Sequence, residues 1–464
     1  METQPLWISH PRAVFDPQAE AEDDTGGGIV IEGNRIVERV PRGGSPVRPH
    51  CQTFDASDCV LLPGLINTHH HFYQTLTRAH PAGLNRPLFN WLKGLYPIWR
   101  YLDAELIRVS TQLACAELLL SGCTTTVDHH YVFSETLTDA IDIQATTCRE
   151  LGIRSVLTRG SMSLGEREGG LPPQSIVQTD EKILADSERL ISVWHDTADD
   201  AMTQVALAPC SPFSVTPELL KATAQLAREH HVGLHTHLAE TQDENDFCLE
   251  QFGQRPLDHL ENCGWLQPGT WFAHGIHFEP SEISRLGAAQ VGIAHCPSSN
   301  MMLGSGIARV PELVAAGVRV GLGVDGSASN DHSNLIQEVR ECALLQRLRD
   351  GLAGPEHLPQ DSLFSPEDAL KIATHGGAEL LGRPTLGSLG IDSVADLALY
   401  RLDEPRFSGV HDPIAGLVLG GAHRASHVMV NGLWRVRDAT LVDFDIDSLI
   451  AQHQSAARRL WQRN

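Results

Sequence analysis

The sequence has no apolar run long enough to span a bilayer, and its first residues, METQPLWISHPRAVF, lack the charged start and apolar core of a secretory signal. Its 10 cysteines are scattered and form no CxxC pair, which argues against a disulfide framework and against a structural zinc cluster. Gly and Pro are spread along the chain rather than gathered in low-complexity tracts. These absences predict a folded, cytoplasmic protein with reduced thiols and no membrane contact.

Positive charge is also scarce. Lys and Arg number 35 against 58 Asp and Glu, which gives a formal net charge of −23. Because this charge repels phosphate backbones and anionic membranes, nucleic acid is not an expected partner. A hydrophobic content of 42% over 464 residues is enough for one α/β barrel with a smaller appendage. The oligomeric state is left open, and a homo-oligomer is compatible with the sequence.

From Leu61 onward, short β-branched or apolar runs alternate with longer helical stretches, which is typical of parallel βα units. The eight runs begin at positions 61, 124, 153, 204, 232, 270, 291 and 318. Eight such units in series predict a closed (β/α)8 TIM barrel. Predicted helices include residues 105–120, 216–229 and 366–381, the last one capped by Ser365.

Short strand patterns flank the barrel region at both ends of the chain. Three of them lie at 28–32, 34–40 and 58–62, and the segments VADLALYRLD and ASHVMVNGLWRVRD add more after position 387. Together they predict a small β-sandwich formed from both termini. The predicted divisions are 1–62 for the first part of the sandwich, 63–385 for the barrel, and 386–464 for the rest of the sandwich with a terminal helix at 446–461.

Histidine is abundant, with 24 residues, and several lie in tight groups at predicted strand ends. In a TIM barrel the active site lies at the carboxyl ends of the strands, so these groups are candidates for chemistry. The first strand ends in His69, His70 and His71. Because side chains alternate along a strand, His69 and His71 point to one side and form a metal clamp.

The fifth and eighth strands end in residues of the same kind. The fifth ends in HTHLAE, which supplies a third imidazole from His235 or His237 and a carboxylate from Glu240, and the eighth ends in Asp325. Three imidazoles and one carboxylate suit Zn²⁺ or another borderline divalent ion with one position open for water. Such an ion lowers the pKa of the water, and a neighbouring Asp can take its proton.

Three more histidines follow strand ends, at His274, His277 and His295. Any of them is able to polarise the attacking water, and a purely structural role is the alternative for each. His274 is preferred over His277. The fourth run, QVALAPCSPFS, contains no Lys that would bridge two metals as a carbamate, so one metal ion is expected.

The segments PGLINTHHH, HTHLAE, AHGIH, HCPSSN with LGSGIARV, and GVDGSASND resemble the amidohydrolase superfamily in its nucleobase, nucleoside and triazine hydrolase branch. The resemblance covers nearly the whole chain. It implies a distorted barrel with a flanking β-sandwich, one Zn²⁺ or Fe²⁺ ion, and metal ligands at His69, His71, His237 and Asp325. The family spaces its third His and its Glu as HxxE, which favours His237 over His235.

The resemblance also implies a reaction, the hydrolytic attack of water on a ring carbon that bears an amino group. In this scheme Asp325 accepts a proton from the attacking water and His274 stabilises the resulting hydroxide. Glu240 protonates the ring nitrogen and passes a proton to the departing amine. Ammonia leaves, and an oxo group remains on the ring.

Sequence segments outside the metal site narrow the range of expected substrates. The segments NTHHHFYQTLTRA, SGCTTTVDHHYVF, TRGSMSLGEREGGLPPQSIVQ and RFSGVHDP resemble the 8-oxoguanine deaminase branch, which forms urate. Nucleoside deaminases of the superfamily carry a ribose-binding Glu where Trp99 stands here, so a free base with Trp99 as a flat wall is expected. Guanine deaminases carry an Arg where Pro212 stands. Gln74 is expected either to bind a purine edge through its amide or to brace its loop.

Three functions remain to be distinguished. The first is deamination of 8-oxoguanine, with isoxanthopterin, isocytosine and guanine as neighbouring substrates. The second is hydrolysis with another leaving group, as in triazine hydrolases that release chloride or an alkylamine. The third is a non-catalytic barrel that holds a metal, which the pairing of Glu240 and His274 with the ligand set disfavours.

Overall fold

The computed structural model describes residues 4–19, 24–354 and 363–463 of the chain. The strands in this part are Leu6–Ser9 (β1), Ala13–Val14 (β2), Gly28–Glu32 (β3), Arg35–Val40 (β4), Gln52–Asp55 (β5), Cys59–Pro63 (β6), Leu65–Asn67 (β7), Cys123–His130 (β8), Arg154–Ser161 (β9), Thr203–Pro209 (β10), Leu234–Leu238 (β11), Thr270–His274 (β12), Gly292–His295 (β13), Arg319–Leu322 (β14), Leu397–Arg401 (β15), His427–Val430 (β16), Leu433–Arg437 (β17) and Thr440–Leu441 (β18).

The α-helices in the same residues are Leu88–Trp99 (α1), Ala104–Leu120 (α2), Ala140–Leu151 (α3), Asp180–Trp194 (α4), Pro217–His230 (α5), Gln242–Phe252 (α6), Pro256–Asn262 (α7), Pro280–Ala288 (α8), Pro297–Met302 (α9), Val310–Ala315 (α10), Leu335–Ala353 (α11), Pro366–Lys371 (α12), Gly377–Leu380 (α13), Pro413–Leu419 (α14) and Ile446–Trp461 (α15). None of these helices combines the length and the apolar character needed to cross a bilayer.

Strands β7 to β14 close into an eight-stranded barrel in chain order, and every neighbouring pair is parallel. Capping side chains start the surrounding helices where the sequence predicts them. Asp103 accepts a hydrogen bond from the Leu106 amide at the start of α2, and Thr216 accepts one from the Leu219 amide at the start of α5. The predicted (β/α)8 barrel is therefore confirmed.

Two further sheets are built from both ends of the chain, with strand orders β4-β3-β1-β5 and β18-β17-β16-β15-β6-β2. Side chains from both sheets form a core of their own, and Ile8, Ile29, Leu61, Leu397 and Met429 belong to it. The terminal strands thus form a β-sandwich beside the barrel, as predicted. The divisions at 62/63 and 385/386 stay predictions.

The first predicted barrel run is divided into two strands at Gly64. A Cβ at this position would lie 2.2 Å from the hydroxyl oxygen of Thr124, so only glycine lets the chain pass β8 this closely. Strand β6, before the glycine, pairs in the sandwich, and β7, after it, pairs in the barrel. One apolar run therefore serves both units, which its hydrophobic pattern alone does not reveal.

The predicted helix 366–381 begins as expected but is not one continuous α-helix. Ser365 caps it, and a π-helical turn, Ile372–Gly376, then separates α12 from α13. A Cβ on Gly376 would lie 2.3 Å from a carbonyl oxygen of β14, and one on Gly377 would lie 2.9 Å from a side chain of β7. The two glycines allow the helical backbone to lie directly against the barrel, and the regular α-helical pattern is interrupted at that point.

A buried ion pair joins the sandwich to the barrel. Arg154, at the start of β9, donates through Nε and Nη2 to the two carboxylate oxygens of Asp396, over 3.3 and 3.2 Å. Asp396→Asn would leave the buried guanidinium uncompensated, so we expect a loss of about 3–5 kcal/mol in the free energy of unfolding. Equilibrium unfolding in urea measures this loss of stability.

A matched control breaks an exposed ion pair instead. Asp58 accepts a hydrogen bond from Arg401 over 2.9 Å at the protein surface, where solvent screens the attraction. Asp58→Asn is therefore expected to cost less than about 1 kcal/mol. Equal losses for the two variants would contradict the role given to burial.

Candidate metal centre and active site

The polar residues at the carboxyl ends of four barrel strands meet inside one end of the barrel. His69 and His71 follow β7, His237 lies in β11, His274 ends β12, and Asp325 follows β14. All five are buried. The imidazole centroid of His69 lies between 4.7 and 5.6 Å from the other three imidazole centroids. The structure therefore places the sequence-predicted group in a single cluster.

Two imidazoles of this cluster direct lone pairs at each other. His71 donates from Nδ1 to the backbone oxygen of His129, and His237 donates from Nδ1 to the backbone oxygen of Cys210, each over 2.6 Å. A neutral ring carries one proton, so both Nε2 atoms hold lone pairs. These Nε2 atoms are 3.1 Å apart. Neither atom can donate to the other, so the contact is favourable only around a cation.

A third lone pair comes from His69 through a relay. His235 donates from Nδ1 to the backbone oxygen of Trp271 over 2.9 Å, so its Nε2 accepts from Nδ1 of His69 over 2.7 Å. The Nε2 of His69 is then unprotonated, and it has no hydrogen-bond partner among the described residues. It lies 3.3 Å from Oδ1 of Asp325. His235 thus lies behind His69, whereas His237 faces the cluster.

The donor set of this cluster fits a borderline divalent cation. Ligand atoms of His69, His71, His129 and His237 lie within 4.8 Å of one another. Imidazole nitrogen and carboxylate oxygen are the donors that zinc and similar ions prefer. His129 was not predicted as a ligand from the sequence, although it stands next to the end of β8 in the DHH triplet. Its Nδ1 lacks a partner in the described structure.

Asp325 is held in a strained but well-supported conformation. Its φ is 58°, in the left-handed region that Asp adopts infrequently. Ser299 donates to Oδ2 over 2.6 Å, Ser329 donates to the same oxygen over 3.1 Å, and the Gly326 amide donates to Oδ1 over 2.7 Å. Burial favours the neutral acid, but these three donors favour the charged form of the carboxylate. The carboxylate is therefore ionised and oriented.

Glu240 and His274 form a second pair beside this carboxylate. Oε2 of Glu240 lies 3.5 Å from Nε2 of His274. Burial, then the charges of Asp325 and Glu244, raise the pKa of Glu240 well above its ordinary value. Burial lowers the pKa of His274 to about 4, and Asn300 donates to its Nδ1 over 3.0 Å. His274 is thus neutral at pH 7 and presents Nε2–H to Glu240.

Glu244 fixes the backbone that carries Glu240, and the sequence reasoning did not find it. Its two carboxylate oxygens accept from the amides of Ala239 and Glu240, each over 3.0 Å. Ala239 has a φ of 53°, and its carbonyl accepts from the amides of Ile276 and His277. One peptide therefore ties Glu240 to the loop after His274. A Glu in the first turn of a helix, four residues after the predicted acid, is the only signal the sequence offers.

We expect Glu244→Gln to lower kcat/KM by about 10²-fold because a misplaced catalytic group loses reactive geometry. The Gln side chain has one acceptor oxygen for two amides, and its NH2 group faces the second amide. Asp243→Asn, an exposed change in the same helical turn, is the control and should leave kcat/KM unchanged. Unaltered kinetics of Glu244→Gln at normal stability would contradict the positioning of Glu240 by this residue.

The cluster opens into a pocket with mostly apolar walls. Helix α1 supplies one wall, and the polar groups of the lining include Gln74, Cys210 and Ser329. The apolar lining consists of Leu88, Trp91, Leu92, Tyr96, Tyr131, Phe213 and Leu303. Oε1 of Gln74 is buried without a partner among the described residues, so its amide is available to a bound molecule. The arrangement suits a flat heterocycle with a few polar edges.

Trp99 does not occupy the predicted position in the pocket wall. Its side chain is fully buried, and its Nε1 donates to the hydroxyl of Thr77 over 3.2 Å. It packs edge-on against Trp91, with ring centroids 5.4 Å apart, and Trp91 lines the pocket. The prediction differs from the structure because the packing of α1 determines which aromatic faces the pocket, and that packing turns Trp91 inward.

The two other candidate histidines lie outside the proton-transfer pair. His277 is half-buried, and its Nε2 donates to the backbone oxygen of Ser305 over 2.9 Å. His295 is buried at the end of β13, and neither ring nitrogen has a partner in the described residues. The preference for His274 over His277 thus agrees with the geometry around Glu240.

Comparisons with known proteins agree with this fold. The model of the Amidohydrolase family matches residues 60–434. The chain belongs to this family. The 8-oxoguanine deaminase of Pseudomonas aeruginosa is 56% identical to this amidohydrolase over 454 residues, 98% of each chain.

Two further similarities come from triazine hydrolases. Hydroxydechloroatrazine ethylaminohydrolase of Pseudomonas sp. strain ADP is 40% identical, over 76% of this amidohydrolase and 72% of the relative. The crystal structure of atrazine chlorohydrolase TrzN from Arthrobacter aurescens TC1, complexed with zinc, has a TM-score of 0.89 at 33% identity. The match covers 97% of this chain and 100% of that chain.

Proposed function

We propose that this amidohydrolase deaminates a free nitrogen heterocycle, 8-oxoguanine, to urate and ammonia in purine catabolism of the cytoplasm. The observation that supports this choice of substrate is the 56% identity to an 8-oxoguanine deaminase over 98% of both chains. The pocket supports a free base. Apolar and aromatic side chains dominate its walls, and no carboxylate of α1 lines it to accept ribose hydroxyls.

His69, His71, His237 and Asp325 would hold one divalent ion, and zinc is the ion we propose, with Fe²⁺ as the alternative. When bound, such an ion lowers the pKa of water and thereby supplies a nucleophile at neutral pH. His235 would keep His69 in the tautomer with a free Nε2 through the 2.7 Å hydrogen bond between them.

The chain's own groups would move the protons. Asp325, ionised at neutral pH, accepts a proton from the attacking water, and Nε2–H of His274 stabilises the charge that develops on the water oxygen. Glu240 is protonated in this environment, so it donates to the ring nitrogen next to the attacked carbon. Glu240, now ionised, takes the remaining proton of the attacking oxygen and passes it to the exocyclic amine, so the C–N bond breaks, ammonia leaves and that oxygen becomes the new oxo group. The proton held by Asp325 then returns to Glu240, which restores both groups for the next turnover.

A substrate panel tests this function directly. The zinc-loaded protein would be given 8-oxoguanine, guanine, isoxanthopterin, isocytosine and S-adenosylhomocysteine, with ammonia release and ultraviolet absorbance as readouts. We expect the highest kcat/KM for 8-oxoguanine, with urate and ammonia formed in equal amounts. A higher kcat/KM for another of these compounds would keep the deaminase reaction but contradict the proposed substrate.

The alternative is a triazine-type hydrolase, and the leucine side chains of the pocket favour it because they would accept an alkyl substituent. An N-alkylated hydroxytriazine in the same panel separates the two. Release of alkylamine from it, together with no ammonia from any amino heterocycle, would overturn the proposed deamination while leaving the metal site in place.

A further inference from the structure

A second cavity lies at the amino-terminal ends of the barrel strands, opposite the active site. We call it the basal cavity. Its volume is about 520 Å³, within the range of about 300–1,000 Å³ typical of small-molecule sites. Polar lining comes from the starts of β10, β12 and β14 and from the ends of α5 and α13, and includes His195, Arg228, His231, Gln267, Arg319 and Arg383.

The charge of the basal cavity is opposite to that of the chain. Arg228, Arg319 and Arg383 line it, and none of the lining residues is an Asp or Glu. Within the described residues, none of the three arginines forms an ion pair with a carboxylate, and the guanidinium group of Arg319 has no hydrogen-bond partner. This is unexpected for a protein with 58 acidic residues and 35 basic ones. Three arginines without counter-ions around one cavity mark a place where an anion would be stabilised.

Arg383 gives the strongest indication because its side chain is buried and forms no ion pair within the described residues. Its side chain is only 4% exposed. Nη2 donates to the backbone oxygens of Asp199 and Ala201, while Nε and Nη1 have no acceptor among the described residues. Arg154 donates to the same Ala201 oxygen over 2.8 Å, so two guanidinium groups lie close together.

The nearby carboxylates of Asp199, Asp200 and Asp396 attract this pair but form no ion pair with Arg383. Asp396 accepts from Nε and Nη2 of Arg154 and from the amide of Asn431, so its oxygens are already engaged. Unpaired buried charge and unsatisfied donors are each costly, and an anion in the adjoining cavity would reduce both penalties.

We propose that the basal cavity binds phosphate, either free or as the ester group of a nucleotide-sized metabolite. Guanidinium groups match phosphate oxygens in charge and in hydrogen-bond geometry. The apolar part of the lining, Val156, Ala206, Trp271 and Leu380, lies beside the arginines and gives the rest of an ester a surface to pack on. The proposal does not rest on the proposed reaction, because the three arginines lie at the other end of the barrel from the active site.

Isothermal titration and thermal unfolding of the zinc-loaded protein test this site. Inorganic phosphate and guanosine monophosphate are titrated separately, with chloride at matched ionic strength as the reference. We expect saturable binding and a rise in Tm that chloride does not reproduce, since a ligand of the folded state stabilises it. Tighter binding of guanosine monophosphate identifies an ester as the ligand, and equal affinity identifies free phosphate.

Variants distinguish the basal cavity from the metal centre, which can also attract phosphate. Arg319→Gln and Arg228→Gln should each weaken phosphate binding by about tenfold, because each removes a charged donor. Both leave the Arg383 hydrogen bonds intact, so folding is not at risk, and deaminase activity should not change. Arg458→Gln, an exposed change on α15, is the matched control. Equal phosphate affinity in all three variants, or no saturable binding, would overturn the proposal.

Discussion

Glu240→Gln is expected to reduce kcat for deamination by about 10²–10⁴-fold while the zinc content per chain stays near that of the unsubstituted protein. The carboxyl group is buried beside His274 and has a raised pKa, so it is able to hold and transfer a proton at neutral pH. A Gln of the same size retains the packing but cannot transfer that proton. Steady-state kinetics with 8-oxoguanine, together with metal analysis of the same sample, measures both quantities.

The zinc measurement makes this experiment specific to proton transfer. A variant that loses activity because it loses metal would show the same kinetic defect, and the metal analysis excludes that cause. Glu250→Gln, an exposed change on α6, the helix that follows Glu240, is the control for the same substitution away from the pocket. Turnover of Glu240→Gln near that of the control would reject Glu240 as the proton shuttle.

The barrel was predictable because its signals are local. Each strand is a short apolar run ended by polar residues, and each capping residue, such as Thr216, stands directly before its helix. The division of the first run at Gly64 was not predictable in this way. There the chain changes from one sheet to another because of a close contact with Thr124, which is 60 residues away in the sequence.

Within the candidate site, too, local signals were predictable from the sequence, whereas features that depend on tertiary contacts were not. Alternation along a strand was enough to place His69 and His71 on one side, since both follow a single short strand. Trp99 was misplaced because an aromatic on a helix lines a pocket only if tertiary packing turns it inward, and here Trp91 has that position. Glu244 was missed because its role depends on backbone amides, which the sequence does not show.

His237→Ala should lower zinc affinity by more than about 100-fold, whereas His235→Ala should lower it by about 10- to 100-fold. The structure gives the two imidazoles different environments although they are two residues apart. Nε2 of His237 lies 3.1 Å from Nε2 of His71, both unprotonated, whereas Nε2 of His235 is occupied by a hydrogen bond from His69. Zinc titration against a chelator, followed by metal analysis, measures both affinities.

The informative result is which variant loses more zinc affinity, because both variants remove a buried imidazole from the same strand. General damage to β11 would lower both affinities equally. If His235→Ala loses zinc and His237→Ala retains it, the ligand assignment is wrong, and the tautomers inferred from the backbone acceptors of Cys210 and Trp271 are wrong with it. If His237→Ala shows the larger loss, the three convergent lone pairs are the metal site, and His235 acts on the metal only through His69.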